Sequence, residues 1–393
     1  MGLNEQEREV LAWLEQQHEA MIELLGLVVN TDSNSYDKPG VDAVIGHFQK
    51  HLEQRGLSTR PIATDPIDGA RFGDCLKASL PAGEGGANGH VLLLGHCDTV
   101  FPTGEAGRRP FRVEGSRAYG PGVADMKAGL VMNTFVLEAL ARFGGARHPL
   151  TVLYTSDEEI ASGASRPVIE AEAKGARAVF NAEPGRPSGN LVSGRKGAMF
   201  LTIEATGIAA HSGVAPEKGK SAIEELCRKV LDLHALSDLS TGTTVNVGLI
   251  QGGQSINTVA PHARARVDVR FRTIAAMEDA EAAIRQIVGR IYVEGTTTSL
   301  TEKAMFLPLE ETPAGDTLFE HYRACAADLG LSPGREYTGG SADSGFTAAA
   351  GAPTLCGTGP VGEKAHSPDE VCHLDTLVPK AQALALSILR LDR

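Results

Sequence analysis

The sequence predicts an α/β protein in which a helix-covered, mostly parallel sheet is interrupted by an inserted domain of different texture. Short, wholly apolar runs alternate with amphipathic stretches toward both ends of the chain, and between them the hydrophobic period switches to two. At 393 residues the chain also exceeds what one hydrophobic core usually organises.

Near the start, "EREVLAWLEQQHEAMIELLGLVV" carries apolar residues at helical spacing. "VDAVIGHFQKHLEQRG" repeats them at Val41, Val44, Ile45, Phe48 and Leu52 before a Gly56 stop, so both stretches read as amphipathic helices. "VLLLG", "LTVLYT" and "ARAVFN" lack polar alternation, as strands covered on both faces do, and they alternate with helical stretches such as "MKAGLVMNTFVLEALARFG". From about residue 195 the pattern changes. "AMFLTIEAT" alternates, a helix follows at 219–236, "TTVNVGLI" and "ARARVDVRF" alternate again, and a helix at 276–290 precedes a strand at 296–305. This β-α-β-β-α-β run is the split arrangement of ferredoxin-like domains, assigned to residues 196–305. Beyond it, a helix at 315–329, the strand "APTLCG" and a last helix from 376 restore the first texture. Residues 1–195 and 306–393 are therefore expected to build one domain, with "PAGEGGANG" as a surface loop.

Composition narrows the function. Hydrophobic residues make up 42% and charged residues 22%, as in ordinary soluble proteins, and no run of 18 apolar residues is present. The N-terminus "MGLNEQEREVLAW" has neither the basic flank nor the apolar core of a signal peptide, so a cytoplasmic location is expected. Gln6 stands where a myristoylation motif wants Ser or Thr. A net charge of -12 without a basic tract argues against nucleic acid and membrane surfaces as partners. Six cysteines are scattered without CxxC spacing, so neither a thiolate zinc knot nor a disulfide framework is expected. Cys97, between His96 and Asp98, is expected to point away from both, as alternation in an extended segment requires.

The chemistry collects where strands end. Ligands in open α/β sheets gather outside the carboxyl ends of the strands. His96 and Asp98 follow "VLLLG"; Asp157, Glu158 and Glu159 follow "LTVLYT"; Glu183 follows "ARAVFN"; His366 lies past "APTLCG"; Asp125 precedes a helix in "GPGVADMKAG". Imidazoles and carboxylates in this number suit a pair of zinc-like ions, which in hydrolytic enzymes sit about 3.5–4 Å apart. Asp125 is expected to bridge them, His96 and Glu183 to complete one site, and His366 with one acid of the Glu158–Glu159 pair to complete the other. The remaining acid of the pair is placed to take a proton from the attacking water. Asp98 is expected to accept the other ring N–H of His96 and so fix its tautomer. Each motif alone has a plain reading, a solvated turn for HxD and helix starts for "SDEE" and "AHSPDE". Their conjunction past successive strand ends is what carries the metal site.

These segments, with "TSDEEIASGAS", "NAEPG", "AHSG", "SINTVAPHARARVDVRF" and "TGGSADSG", resemble the dinuclear zinc peptidases that include folate-type glutamate carboxypeptidase, aminoacylase, acetylornithine deacetylase and succinyl-diaminopimelate desuccinylase. The resemblance runs in order from about residue 88 to 373. It implies that His96, Asp125, Glu159, Glu183 and His366 hold two zinc ions, with Co2+ or Mn2+ as alternatives. It orders the acidic pair by making Glu158 the general acid/base, and it gives Asp98 the support of His96. The insertion is similar to the family's lid, which also mediates homodimerisation. His211 then corresponds to a histidine that reaches a partner subunit's site and steadies the oxyanion. Asn257 and Arg270 correspond to lid residues that hold the substrate carboxylate, and Gly339 and Gly340 to a loop along the bound substrate.

By the resemblance, Glu rather than Asp at position 183 is expected of the carboxypeptidase and deacylase branches, and Glu183 leans toward them. Arg195 and Lys196 depart from the folate-type pattern, where uncharged residues are expected. The expected function is metal-dependent hydrolysis of the amide of an N-acyl or peptidyl amino acid with a free carboxylate, most akin to a glutamate carboxypeptidase. The alternatives are an N-acyl-amino-acid deacylase and, from another class, a non-catalytic metal carrier. A nucleotide-binding reading fails because no GxGxxG follows a strand and no GxxxxGK[ST] occurs.

Overall fold

Val91, Leu92, Leu93 and Leu94 are fully buried in the strand His90–His96, which lies between Leu150–Thr155 and Ala176–Asn181 and runs parallel to both. Every residue of Leu150–Thr155 is buried as well, the pattern of strands covered on both faces. Thr354–Cys356 extends the parallel centre beside Ala176–Asn181. The computed structural model describes residues 2–392, which fall into two units. The first unit comprises the chain up to Gly194, Glu311–Tyr337 and the chain from Phe346 onward; the second comprises Arg195–Glu310 and Thr338–Gly345.

The sheet of the first unit has eight strands in the order Ser58–Ile62, Cys75–Leu80, Leu150–Thr155, His90–His96, Ala176–Asn181, Thr354–Cys356, Leu191–Arg195, Arg335–Thr338. Its centre is parallel as expected, and antiparallel pairs flank it. The flanking strands were not predicted. Ser58–Ile62 reads STRPI and is exposed or half-buried throughout, and Pro61 in it is tolerable because the strand lies at the sheet edge. A small second sheet, Gly362–Glu363, Val371–His373, Arg117–Tyr119 and Arg112–Glu114, was also not foreseen.

Helices cover the sheet. The first predicted helix divides at Gln17 into Glu5–Gln16, opened by a capping box between Asn4 and Glu7, and His18–Val29. Lys38–Glu53 starts from Asp37, whose side chain accepts from the Gly40 amide. Ala128–Arg142 is buried from Ala128 to Leu140 and packs against Glu5–Gln16 and Leu377–Arg390. No helix among the described residues is long and apolar enough to cross a membrane.

The second unit shows the predicted β-α-β-β-α-β order in Gly197–Thr206, Ala222–His234, Thr244–Gly252, His262–Phe271, Ile274–Gly289 and Thr297–Phe306. Its sheet is antiparallel in the order Thr244–Gly252, His262–Phe271, Gly197–Thr206, Thr297–Phe306. Ile203, Val269, Phe271, Leu226 and Ile284 belong to a separate apolar core.

One glycine sets how closely helix and loop approach in the first unit. A Cβ on Gly129, in the first turn of Ala128–Arg142, would collide with the carbonyl of Ala182, the residue before Glu183. Overpacking against backbone costs about 1–3 kcal/mol. Gly129→Ala is expected to lower unfolding free energy by about that amount in a urea titration; an unchanged midpoint would show that helix and loop do not touch there.

Candidate metal centre

His96 ends its strand, and Gly95 before it leaves room for Met126 and Leu130, so the segment carrying Asp125 lies directly over the strand end. Asp125 sits in an irregular turn, Val123–Lys127, whose Asp125–Met126 peptide is cis. Glu158 and Glu159 occupy a 3₁₀ turn, Glu158–Ile160, immediately after Leu150–Thr155. Glu183 follows Ala176–Asn181, and His366 holds a left-handed backbone, φ 62°, in the loop after Gly362–Glu363. For a histidine that conformation stores strain, as residues at functional sites often do.

The first unit brings together His96, Asp98, Asp125, Glu158, Glu159, Glu183 and His366. The Asp125 carboxylate lies between two imidazoles, with Oδ1 3.3 Å from His96 Nε2 and Oδ2 3.4 Å from His366 Nε2. Glu159 Oε2 is 3.0 Å from His366 Nε2, and Glu183 Oε1 is 3.8 Å from His96 Nε2. Glu158 Oε2 lies 3.9 Å from His96 Nε2. On the far side of that ring, Nδ1 is 3.0 Å from the Asp98 carbonyl oxygen and 3.3 Å from its carboxylate. His96, Asp125 and Glu159 also offer ligand atoms within 4.8 Å of one another. The side chains of His96, Glu158, Glu159 and Glu183 are each less than one-tenth exposed, whereas that of His366 is 53% exposed, so the cluster opens on the His366 side.

Carboxylates crowded at this depth repel one another unless cations or protons stand between them. Burial pushes the Glu159 carboxyl up to about 7 against the pull of His366. Bonds to Asp125 and Glu159 raise His366 to about 10, outweighing its partial desolvation. Burial opposes the charged form of Asp125, yet the two imidazoles overcome it and hold the carboxyl below its usual range. Burial would also discharge His96, but Asp125 and Asp98 keep its imidazole above the ordinary range. A set of imidazole nitrogens and carboxylate oxygens fits divalent ions, whose charge would offset that repulsion.

Buried hydrogen bonds brace the segments that carry these groups. Asp98 accepts from Ser35 Oγ at 2.6 Å and from the Glu158 and Glu159 amides at 3.1 Å each, so one carboxylate ties the turn of the acidic pair to the strand end of His96. Glu370 accepts from the Gly122, Ala124 and Asp125 amides at 3.1, 2.8 and 2.9 Å, holding the turn of Asp125. Burial raises its carboxyl to about 7. Asp157 accepts from the Ala164 and Ser165 amides and from Ser165 Oγ, closing the loop behind the acidic pair. Neither Glu370 nor Ser35 was singled out from sequence. Glu370 closes the "AHSPDE" motif and was visible there as an unassigned acid; Ser35 carries no signal in its own neighbourhood. Cys97 is buried in the apolar core, and burial raises its thiol.

The other predicted residues belong to the second unit. His211 is exposed, and its Nδ1 accepts from the Gly213 amide at 3.2 Å. The loop of Asn257 is joined to it through the Ser212 amide, which donates to the Asn257 carbonyl at 2.9 Å. Arg270 forks onto Asp268 through Nε and Nη2 and donates from Nη1 to Ser341 Oγ at 3.2 Å. Arg195 donates from Nη1 to the carbonyls of Gly340 and Ser341, so the loop of Gly339 and Gly340 is pinned by two arginines. The sequence marked Arg195 as a departure; its burial at 6% exposure explains it as a loop anchor.

Comparison with known proteins decides the family. Residues 92–390 match the model of "Peptidase family M20/M25/M40". The chain belongs to this family. It is therefore a metal-dependent hydrolase, as the family's peptidases and amidohydrolases are. This M20 chain is 29% identical to carboxypeptidase G2 of Pseudomonas sp. strain RS-16 over 380 residues, covering 94% of this chain and 88% of that one. It is 27% identical to acetylornithine deacetylase of Proteus mirabilis strain HI4320 over 383 residues, with coverage of 92% and 94%. In fold it is similar to aminopeptidase PepT of Bacillus cereus ATCC 10987, with a TM-score of 0.76, 21% identity and coverage of 96% and 99%.

Two predictions arise from the braced, protonated cluster. Glu370→Ala is expected to weaken metal retention about 10- to 100-fold, the usual effect of removing a group that orients ligands, read as metal content after dialysis against graded chelator; undiminished retention would contradict the bracing. Because a metal must displace the proton that His366 keeps up to about pH 10, loading the metal-free protein at neutral pH is expected to release protons, and affinity to rise with pH toward that value. Calorimetry in buffers of different ionisation enthalpy measures this, and a buffer-independent heat would contradict it.

Proposed function

We propose that this M20 enzyme is a dinuclear zinc amidohydrolase that releases an amino acid with a free α-carboxylate from an N-acyl or peptidyl donor, as a glutamate carboxypeptidase does. The observation that carries the reading is the Asp125 carboxylate with one oxygen toward His96 and the other toward His366. His96 and Glu183 would hold one ion, Glu159 and His366 the other, and Asp125 both. When bound, the ions would supply Lewis acidity toward the scissile carbonyl and the attacking water. The named resemblance to carboxypeptidase G2, over most of both chains, supports the carboxypeptidase branch.

The chain's own residues do the proton work. Glu158, 3.9 Å from His96 and outside the proposed ligand set, takes the proton of the attacking water and returns it to the leaving amine nitrogen. Asp98 keeps the His96 ring oriented through Nδ1. We assign the second unit, with the Gly339–Gly340 loop, the ferredoxin-like lid and dimerisation role. In it His211 of one subunit serves as the oxyanion donor for its partner, and Asn257 and Arg270 receive the substrate carboxylate. Arg270 would give up its Ser341 contact to do so.

The test is Glu158→Gln in zinc-loaded protein, assayed on a panel of N-acyl and peptidyl amino acids. Turnover is expected to fall by about 10²- to 10⁴-fold at unchanged metal content, and the wild type to release glutamate from C-terminal glutamyl substrates. Wild-type turnover by the variant at full metal content would remove Glu158 from this role. Release of acetate or another simple acid, with no preference for glutamate, would move the enzyme to the N-acyl-amino-acid deacylases, the branch of its acetylornithine deacetylase relative.

A further inference from the structure

Three lysines are buried among the described residues, and two have evident partners. Lys127 donates to the Thr31 carbonyl, and Lys229 donates to the Ile287 and Val288 carbonyls and pairs with Glu225. Lys380, on the helix Leu377–Arg390, is the exception. It is 7% exposed, and its ammonium has neither a hydrogen bond nor an ion pair among the described residues. Burial pushes it down to about 8 with no acid to offset the effect, so it is still charged at neutral pH. Tyr322, on Pro313–Ala327, is 1% exposed, and its hydroxyl is also without a partner.

Both side chains line one cavity of about 280 Å³ in the first unit, which shares no residue with the metal centre. Ala326, Leu331, Pro333 and Val361 supply apolar wall. A cation set against apolar wall costs free energy until something pairs with it. We propose that this cavity binds a small monocarboxylate with a short apolar body, its carboxylate ion-paired to Lys380.

The walls select that chemistry. One cation matches a single negative charge, and Asp375, also lining the cavity, opposes a second one such as phosphate carries. The volume lies below the ~300–1,000 Å³ of sites for drug-sized ligands. Two walls are continuous with the centre's own loops: Ser188 and Gly189 follow Glu183, and Val361 precedes the strand that leads to His366.

Benzoate is a suitable probe, titrated calorimetrically into the zinc-loaded protein at pH 7. Because a metal centre also attracts carboxylates, the comparison is with Lys380→Met and Lys380→Gln, which leave every proposed metal ligand in place. The wild type is expected to show a binding event that each variant weakens about tenfold or more. Lys380→Met without ligand is expected to melt at a higher temperature, since it removes an unpaired buried charge. The same benzoate isotherm in all three proteins would overturn the site. So would a folded Lys380→Gln protein that binds as the wild type does, should Lys380→Met fail to fold.

Discussion

A carboxylate held between two imidazoles and hemmed in by further acids is not a stable arrangement by itself. Asp125, with His96 on one oxygen and His366 on the other, is the point where this constraint concentrates. Its neighbours Glu159 and Glu183 lie in the same pocket of low polarity, where mutual repulsion is relieved only by positive charge. The surrounding architecture holds these groups at that distance against their repulsion. Glu370 pins the turn of Asp125 by three backbone amides, Asp98 pins the turn of Glu158 and Glu159 by two, and Gly129 lets the helix after Asp125 press against the residue before Glu183. Each brace joins segments far apart in sequence. On the proposed reading, bound ions would offset the repulsion that these braces resist.

Much of this was legible in the sequence because burial leaves a compositional trace. Strands covered on both faces must be apolar throughout, so His90–His96, Leu150–Thr155 and Ala176–Asn181 announce themselves, and the polar residues just after them mark the rim where ligands gather. Strands at the sheet's edge leave no such trace. STRPI at Ser58–Ile62 is exposed or half-buried at every position, and its structure comes from pairing with Cys75–Leu80 rather than from its own residues. The split of the first helix at Gln17 is likewise invisible to periodicity, since apolar spacing continues across it.

Within the centre, what the sequence left open was the order of two adjacent acids. Spacing cannot separate Glu158 from Glu159, which the 3₁₀ turn sends in different directions. Glu159 meets His366 at 3.0 Å, and Glu158 faces His96 at 3.9 Å. Glu370 and Ser35 escaped notice for a related reason. Their contribution is to receive or give a hydrogen bond across a long stretch of chain, a contact that exists only once the sheet has assembled. Substrate choice rests on yet another layer. A carboxypeptidase and a deacetylase are both similar to this chain, so membership of the family does not by itself name the substrate.

The most direct test of the central claim is anomalous diffraction at the zinc edge from crystals of the zinc-loaded protein. Two peaks are expected, one on each side of the Asp125 carboxylate, the first within bonding distance of His96 and Glu183 and the second of Glu159 and His366, at about 2.0–2.2 Å from each ligand atom. A single peak, or peaks that leave Asp125 uncoordinated, would contradict the account.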